Sequence, residues 1–240
     1  MIANCNITIA TQHDLPGIRE IWEEKFPAED EYQQTIFSEI IPLCTNYIIK
    51  ACNGNIVSTT SLMPMKFINE ENGITLSGWY MFGVATKSGF EGKGYASSLI
   101  SHAISELQRN GYDFIFERPA NQELINFYLK FGFTELIKKQ KYSFQHHPTL
   151  GNPSCSTTNK EVERCSKEVL AEIRNHFNTR FEWTNPTLLE KLVLLGEIER
   201  HNELQTEESF QEQCYIAIKT LNKKLSPSVF RGSFFCFPME

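Results

Sequence analysis

The sequence predicts an α/β fold (of the α+β kind): a mixed central sheet with helices on its faces, followed by a smaller C-terminal α/β module. Three observations carry this. Strand-length β-branched segments alternate with helical periodicities in the order β-α-α-β-β-β-α-β-α-β up to residue 145. Two turn signals, Asn53-Gly54 and Asn69 to Gly73, link three successive strands as hairpins. A glycine-rich turn, Gly89 to Gly94, then carries the last of those strands into a helix.

Each element has its own reason. "NCNITIA" (Asn4–Ala10) reads as the first strand. Thr11 offers an N-cap to "GIREIWEEKF", in which Ile18, Ile21, Trp22 and Phe26 share one helical face. A second helix is expected from Asp30 to Ile41, where Pro42 ends it. "YIIKA", "NIVSTTSLMPMKFI" and "ITLSGWYMFGVAT" are the hairpin strands. From Lys93 to Arg109 a helix buries Ala96, Leu99, Ile100, Ala103, Ile104 and Leu107, and Asn110-Gly111 closes it. "YDFIFE" (Tyr112–Glu117) suits a strand covered on both faces, with Pro119 breaking it. Asn121 can cap the helix "QELINFYLKF", Gly132 ends that helix, and "FTELIKKQKYSF" is the next strand.

Residues 146–160, "HHPTLGNPSCSTTNK", lack apolar periodicity and read as a linker. Beyond it, Glu161–Phe177 and Pro186–Arg200 read as helices, and "CYIAIKTL" and "VFRGSFFCF" as strands. The expected organisation is residues 1–145 as the main domain, 146–160 as linker, and 161–240 as a smaller module packed on the first.

Composition excludes several classes. The chain has 240 residues, 41% hydrophobic and 22% charged, with a formal net charge of -6. That balance is ordinary for a soluble globular protein and argues against general nucleic-acid binding, which needs a dense basic surface. The N-terminus lacks the pattern of a signal peptide, and no apolar run reaches the length of a membrane span. Seven cysteines, irregularly spaced, point to reduced thiols in a cytoplasmic protein. No Cys/His spacing suits zinc, so no metal site is expected. Cys44, Cys52 and Cys214 read as packing residues. Trp22, Trp79 and Trp183 read as core residues, with an acceptor pocket as the other option.

The chemistry concentrates in "GVATKSGFEGKGYASSLI", Gly83 to Ile100. A strand, a glycine turn and a helix start aim backbone N–H groups and the positive helix end at one spot, which makes an anion site. The Walker pattern fails because Gly94 and Tyr95 follow Lys93, where Ser or Thr is needed. The dinucleotide pattern fails because Ser97 stands where the third glycine belongs.

The same stretch resembles motif A of the GNAT acyltransferases, Arg/Gln-Gly-x-Gly-x-Gly/Ala, with Glu91, Gly92, Lys93, Gly94, Tyr95 and Ala96 in those positions. Only Glu91 departs. "NQELINFYLKFGF" (Asn121–Phe133) is similar to the family's motif B, and the resemblance covers about residues 5–145 in matching element order. It implies a GNAT-like splayed sheet, and an acyl-CoA site with the pyrophosphate on the amides of Phe90 to Ala96. It also implies a pantetheine arm paired with the strand around Phe82, Val84 and Ala85. The Val84 N–H would polarise the thioester carbonyl. Tyr128 occupies the position of the general acid for the leaving thiolate, or else packs beside Phe127 and Phe131. Asn121 is a helix cap or a cofactor ligand.

The group that deprotonates the amine is open between water, Glu117 and the terminal carboxylate of Glu240. The last comes from a two-part branch of the family in which a second module covers the acceptor side. For Glu117 the expected role is a surface pair with Arg118 or a lysine. Lys87 and Lys93 are expected to offset the Glu91 charge.

The expected activity is therefore transfer of acetyl from acetyl-CoA to a primary amine, on a small molecule or a peptide, by direct attack in a ternary complex. The alternative is a catalytically degenerate acyl-CoA-binding or regulatory module. The acidic "WEEKFPAEDE" segment favours a cationic acceptor. The sequence carries no sign of oligomeric state.

Overall fold

The computed structural model describes residues 6–27, 34–138, 167–168, 171, 174–175, 177–188, 190–191 and 215–231. Its centre is one eight-stranded sheet in the order β1-β2-β3-β4-β5-β8-β6, with β7 paired to β3. The strands are β1 (Ile7–Ile9), β2 (Thr45–Lys50), β3 (Ile56–Asn69), β4 (Ile74–Thr86), β5 (Phe114–Glu117), β6 (Glu135–Lys138), β7 (Thr179–Trp183) and β8 (Tyr215–Thr220). The helices are α1 (Leu15–Lys25), α2 (Tyr95–Arg109) and α3 (Gln122–Leu129). The hairpin glycines Gly54 and Gly73 both take positive φ, as their tight turns require.

Among the described residues, pairing is antiparallel except between β4 and β5. That parallel pair is short: Gly78↔Phe114, Trp79↔Ile115 and Tyr80↔Phe116. A Cβ on Gly78 would sit 2.5 Å from Phe114, so glycine is what lets the two strands close here. From Met81 onward β4 pairs only with β3 among the described residues. The sheet is therefore splayed at Tyr80, and the backbone of β4 beyond it presents an edge.

Helices cover both faces. Ile18, Ile21 and Trp22 of α1 are buried in a core with Met65, Phe67, Phe82 and Phe116. Leu99, Ile100, Ala103, Ile104 and Leu107 of α2 pack on the other face with Ile115, Tyr128 and Phe133. The C-terminal strands are laid into this sheet. β8 lies between β5 and β6, and β7 extends the far end of β3.

Three expectations change. The helix placed at Asp30–Ile41 is, in its described part, a wide π turn at Ile36–Ile40 followed by a 3-10 turn at Ile41–Leu43. This pairing buries Ile36, Phe37, Ile40 and Ile41 together, and Pro42 does not end it but sits in the first turn of the 3-10 segment, where its missing N–H costs nothing. The strand expected at "VFRGSFFCF" begins as a 3-10 turn, Pro227–Phe230, because Pro227 sets a turn φ and Ser226 caps it. Phe230 is fully buried there, and 232–240 lie outside the described residues. Cys52 is exposed rather than packed; Cys44 is half-buried, its thiol against the Ile40 carbonyl at 3.2 Å, and burial pushes that thiol up. The linker 146–160 and Cys214 lie outside the described residues. Positions 167–168, 171, 174–175, 186–188 and 190–191 of the two expected C-terminal helices are helical.

Candidate active site

The glycine turn is built by its backbone. Gly89, Gly92 and Gly94 take φ of 79°, 71° and 80°, a region that L side chains rarely enter. Gly94 is the N-cap of α2, and the first helical bond runs from Ser98 N to the Gly94 carbonyl at 2.9 Å. The N–H groups of Tyr95, Ala96 and Ser97 therefore precede any intrahelical partner, at the positive end of a 15-residue helix. A Cβ built on Gly92 meets nothing within 4 Å, so the face of the turn is open. This cradle fits a pyrophosphate. Phe90 contributes less than its neighbours, since its N–H already bonds the Lys87 carbonyl at 3.0 Å.

Sequence reasoning missed what holds this turn. Lys25, at the end of α1, pairs with Glu91 and reaches Glu24 at 3.1 Å and the Ser88 hydroxyl at 3.1 Å. The Ser88 N–H donates to Glu24 at 2.8 Å, and the bonds from Ser88 and Lys25 hold the Glu24 carboxyl down to about 2. Lys87 pairs with Glu20 at 2.9 Å. Lys93 bonds the Gly89 carbonyl at 2.9 Å with its ammonium 4.7 Å from the Phe90 ring centroid. The offset to Glu91 comes from Lys25, a residue 66 positions away, rather than from Lys87 or Lys93. Glu20 and Glu24 of α1 engage the glycine turn and Glu23 pairs with Arg19, so these charges are met inside the molecule; residues 28–31 of the acidic segment lie outside the described residues.

The β4 edge carries a bulge. Thr59 faces Ala85 and Ser61 faces Phe82, so Gly83 and Val84 together oppose Thr60. Gly83 takes φ of 61°, and a Cβ there would lie 2.2 Å from Cζ2 of Trp22. The bulge is pinned by Thr60 Oγ1 donating to the Phe82 carbonyl at 3.2 Å and Ser58 Oγ to that of Ala85 at 2.8 Å. Phe82 and Ala85 are buried, and Val84 sits at the bulge where the strand is re-aimed.

Across the splay stand Glu117 and Tyr128. Glu117 ends β5, one residue beyond the last β4–β5 pair, and is 7% exposed. The expected surface position is thus overturned, although the Arg118 charge still acts on the carboxyl: the side chain shares the face of Ile115, on the side of α2 and α3. The Tyr128 hydroxyl, on α3 and 3% exposed, hydrogen-bonds the Glu117 carboxyl. Glu117 Oε2 has no further partner among the described residues. Burial pushes the Glu117 carboxyl up to about 8 and the Tyr128 phenol well above its usual range. Asn121 acts as the cap of α3, accepting from Leu124 N at 2.9 Å. Glu240 lies outside the described residues.

The strand, turn and helix of this site match the family model "Acetyltransferase (GNAT) domain" over residues 6–136, more than half of the chain. The chain belongs to the GNAT acetyltransferase family. No curated protein matches it. The GCN5-related N-acetyltransferase of Kribbella flavida has the same fold: TM-score 0.55 and 13% identity over 79% of this chain and 49% of that one. A conserved protein of Enterococcus faecalis gives 0.47 and 14% over 57% of this chain and 33% of that one, so this GNAT chain spans about a third of that relative's length. YhbS of Escherichia coli, a GNAT family N-acetyltransferase solved with CoA, gives 0.45 and 18% over 53% of this chain and 67% of that one. No helix among the described residues is long and apolar enough to cross a membrane.

Proposed function

We propose that the protein is a cytoplasmic N-acetyltransferase that moves acetyl from acetyl-CoA to a primary amine on a small molecule or a peptide. Acetyl-CoA supplies an activated thioester. The turn amides of Gly92 to Ala96 and the α2 N-terminus hold its pyrophosphate, with Phe90 and Glu91 at the rim. The open β4 edge from Phe82 to Ala85 takes the pantetheine arm by backbone pairing, and the Val84 N–H at the bulge polarises the thioester carbonyl. Splayed strands bring amine and thioester together, so orientation carries much of the rate. Tyr128 protonates the leaving thiolate. Glu240 remains a candidate to anchor or deprotonate the amine, and residues 161–240 a candidate cover for the acceptor side.

The observation that supports this reading best is the coincidence of three features. These are a β4 edge unpaired among the described residues, a bulge at Gly83 and an open glycine cradle at a helix start, all along one strand-turn-helix unit. A catalytically silent CoA-binding module rests on the departure at Glu91 and on the lack of an obvious base for the amine; Lys25 meets the charge of Glu91. The test is to mix acetyl-CoA with a panel of primary amines and follow free thiol. Release with at least one amine supports transfer; binding without release across the panel favours the silent module.

A further inference from the structure

The buried carboxyl at the end of β5 has no part in the mechanism above, and resting on that mechanism it acquires one. We infer that Glu117 is the proton reservoir behind Tyr128: its carboxyl passes a proton to the Tyr128 oxygen as Tyr128 gives its own to the leaving thiolate. Glu117 does not touch the thioester; it acts through Tyr128 and is a positioning residue.

The geometry carries the inference. Glu117 follows three fully buried phenylalanine and isoleucine residues, Phe114 to Phe116, on a strand covered on both faces. An ionised carboxylate in such a place needs full compensation, yet Oε2 has none among the described residues. The cheaper state is the protonated acid, which can donate to the Tyr128 hydroxyl. The facing groups do not reverse this. Arg118 is the adjacent cation and lowers the carboxyl less than burial raises it. Tyr80 of β4 acts on Tyr128. Lys219 of β8 shares the face but sits opposite Ile115, its ammonium beside Gly132. The α2 side chains against this face, Leu99, Ile100 and Ala103, are apolar.

The energetics agree. An alkyl thiol titrates near about 8.5, so a phenol above about 10 gives it a proton uphill and leaves a buried phenolate. With the relay, the Tyr128 O–H bond breaks as S–H forms, and the Glu117 O–H bond breaks as the Tyr128 O–H re-forms. CoA then leaves as a neutral thiol and the charge rests on Glu117, a carboxyl matched to the thiol at about 8. The proton shed by the amine nitrogen goes to solvent, and solvent returns one to Glu117.

Two measurements test this. Infrared titration of the full chain without ligand should show a carboxylic-acid carbonyl band that disappears around pH 8, is missing in E117Q and shifts in Y128F. A Glu117 carboxyl that ionises in the ordinary Glu range overturns the relay, whatever becomes of the variants in folding. With the amine that the panel identifies, E117Q should lower kcat at least about tenfold with KM for acetyl-CoA unchanged, as loss of proton-transfer assistance does. The alkaline fall of kcat should vanish with it, and the proton inventory should change from curved to linear. If Y128F is slow while E117Q keeps kcat, alkaline limb and curvature, Tyr128 stands as the acid and the relay is gone. If Y128F keeps the full rate, the acid assignment falls and the relay with it.

Discussion

Lys25 of α1 forms an ion pair with Glu91 in the glycine turn, and so ties the end of one helix to the entrance of another. Glu91 is the one motif residue that departs from the family pattern, and its charge is met inside the molecule. The same ammonium holds Glu24 and Ser88, so the turn is fastened to α1 at several points.

Glu91→Gln should therefore leave Tm nearly unchanged, since so exposed a pair contributes little to stability. It should tighten CoA binding by about two- to tenfold at low salt, since one negative charge near the pyrophosphate is removed. The gain should shrink in high salt. Calorimetry at two ionic strengths measures both; weaker binding would mean that the Lys25–Glu91 pair shapes the turn.

Gly83→Ala places a methyl 2.2 Å from Trp22 on a backbone of positive φ. Strain and crowding together should cost about 2–5 kcal/mol, read as a clear fall in Tm. The shift should also loosen the bulge, so acetyl-CoA affinity should fall in whatever fraction of protein remains folded.

Glu117 gives stability a pH dependence whose sign is opposite to that of a salt-bridged carboxylate. Its folded value, about 8, lies above the unfolded value of 4.5, so the folded state holds the extra proton between them. Stability should be highest below about 4.5 as far as this group is concerned, decline as pH rises through the window, and level off above about 8. Glu117→Gln should flatten that decline, leaving the variant on the order of a few kcal/mol more stable than the parent protein in alkaline buffer. Urea melts across the window, compared between the two proteins, give the slope directly.

β7 is fastened by a buried network. Arg180 donates to Glu182 at 2.6 Å and Glu70 at 2.8 Å, and Arg174 reaches Glu182 at 2.9 Å. Burial pushes the Glu182 carboxyl up, and the bonds from Arg174 and Arg180 outweigh it and hold it below its usual range. Glu182→Ala leaves Arg180, 4% exposed, with Glu70 as its one carboxylate partner among the described residues, and should cost about 3–5 kcal/mol. Hydrogen exchange should quicken first at Thr179–Trp183. The network's contribution from Glu182 is present above the ordinary Glu range and lost as pH falls below it.

Much of this was legible in the sequence because it is local. The three hairpin strands, α2, α3 and β5 follow from periodicity, and the two motifs bring the glycine cradle and Tyr128 into one family. What stayed hidden is non-local. Nothing in "CYIAIKTL" says that β8 enters between β5 and β6, because strand pairing is chosen by the whole sheet. Lys25 and Glu91 are 66 positions apart, so their pair has no sequence signature. Glu117 reads as polar at a strand end, next to Arg118, and local sequence favours the surface. Its burial is decided by α2 and α3 closing over that face. The alternation from Ile115 to Glu117 was the available signal, since it puts the carboxyl on the inner side.

The central claim is transfer of acetyl from acetyl-CoA to an amine in this site, and thiol release measures it most directly. With acetyl-CoA and a panel of primary amines, the account predicts release with at least one amine, reduced at least about tenfold by Tyr128→Phe. Absence of CoA binding by calorimetry, or binding with no thiol released by any amine in the panel, would contradict it.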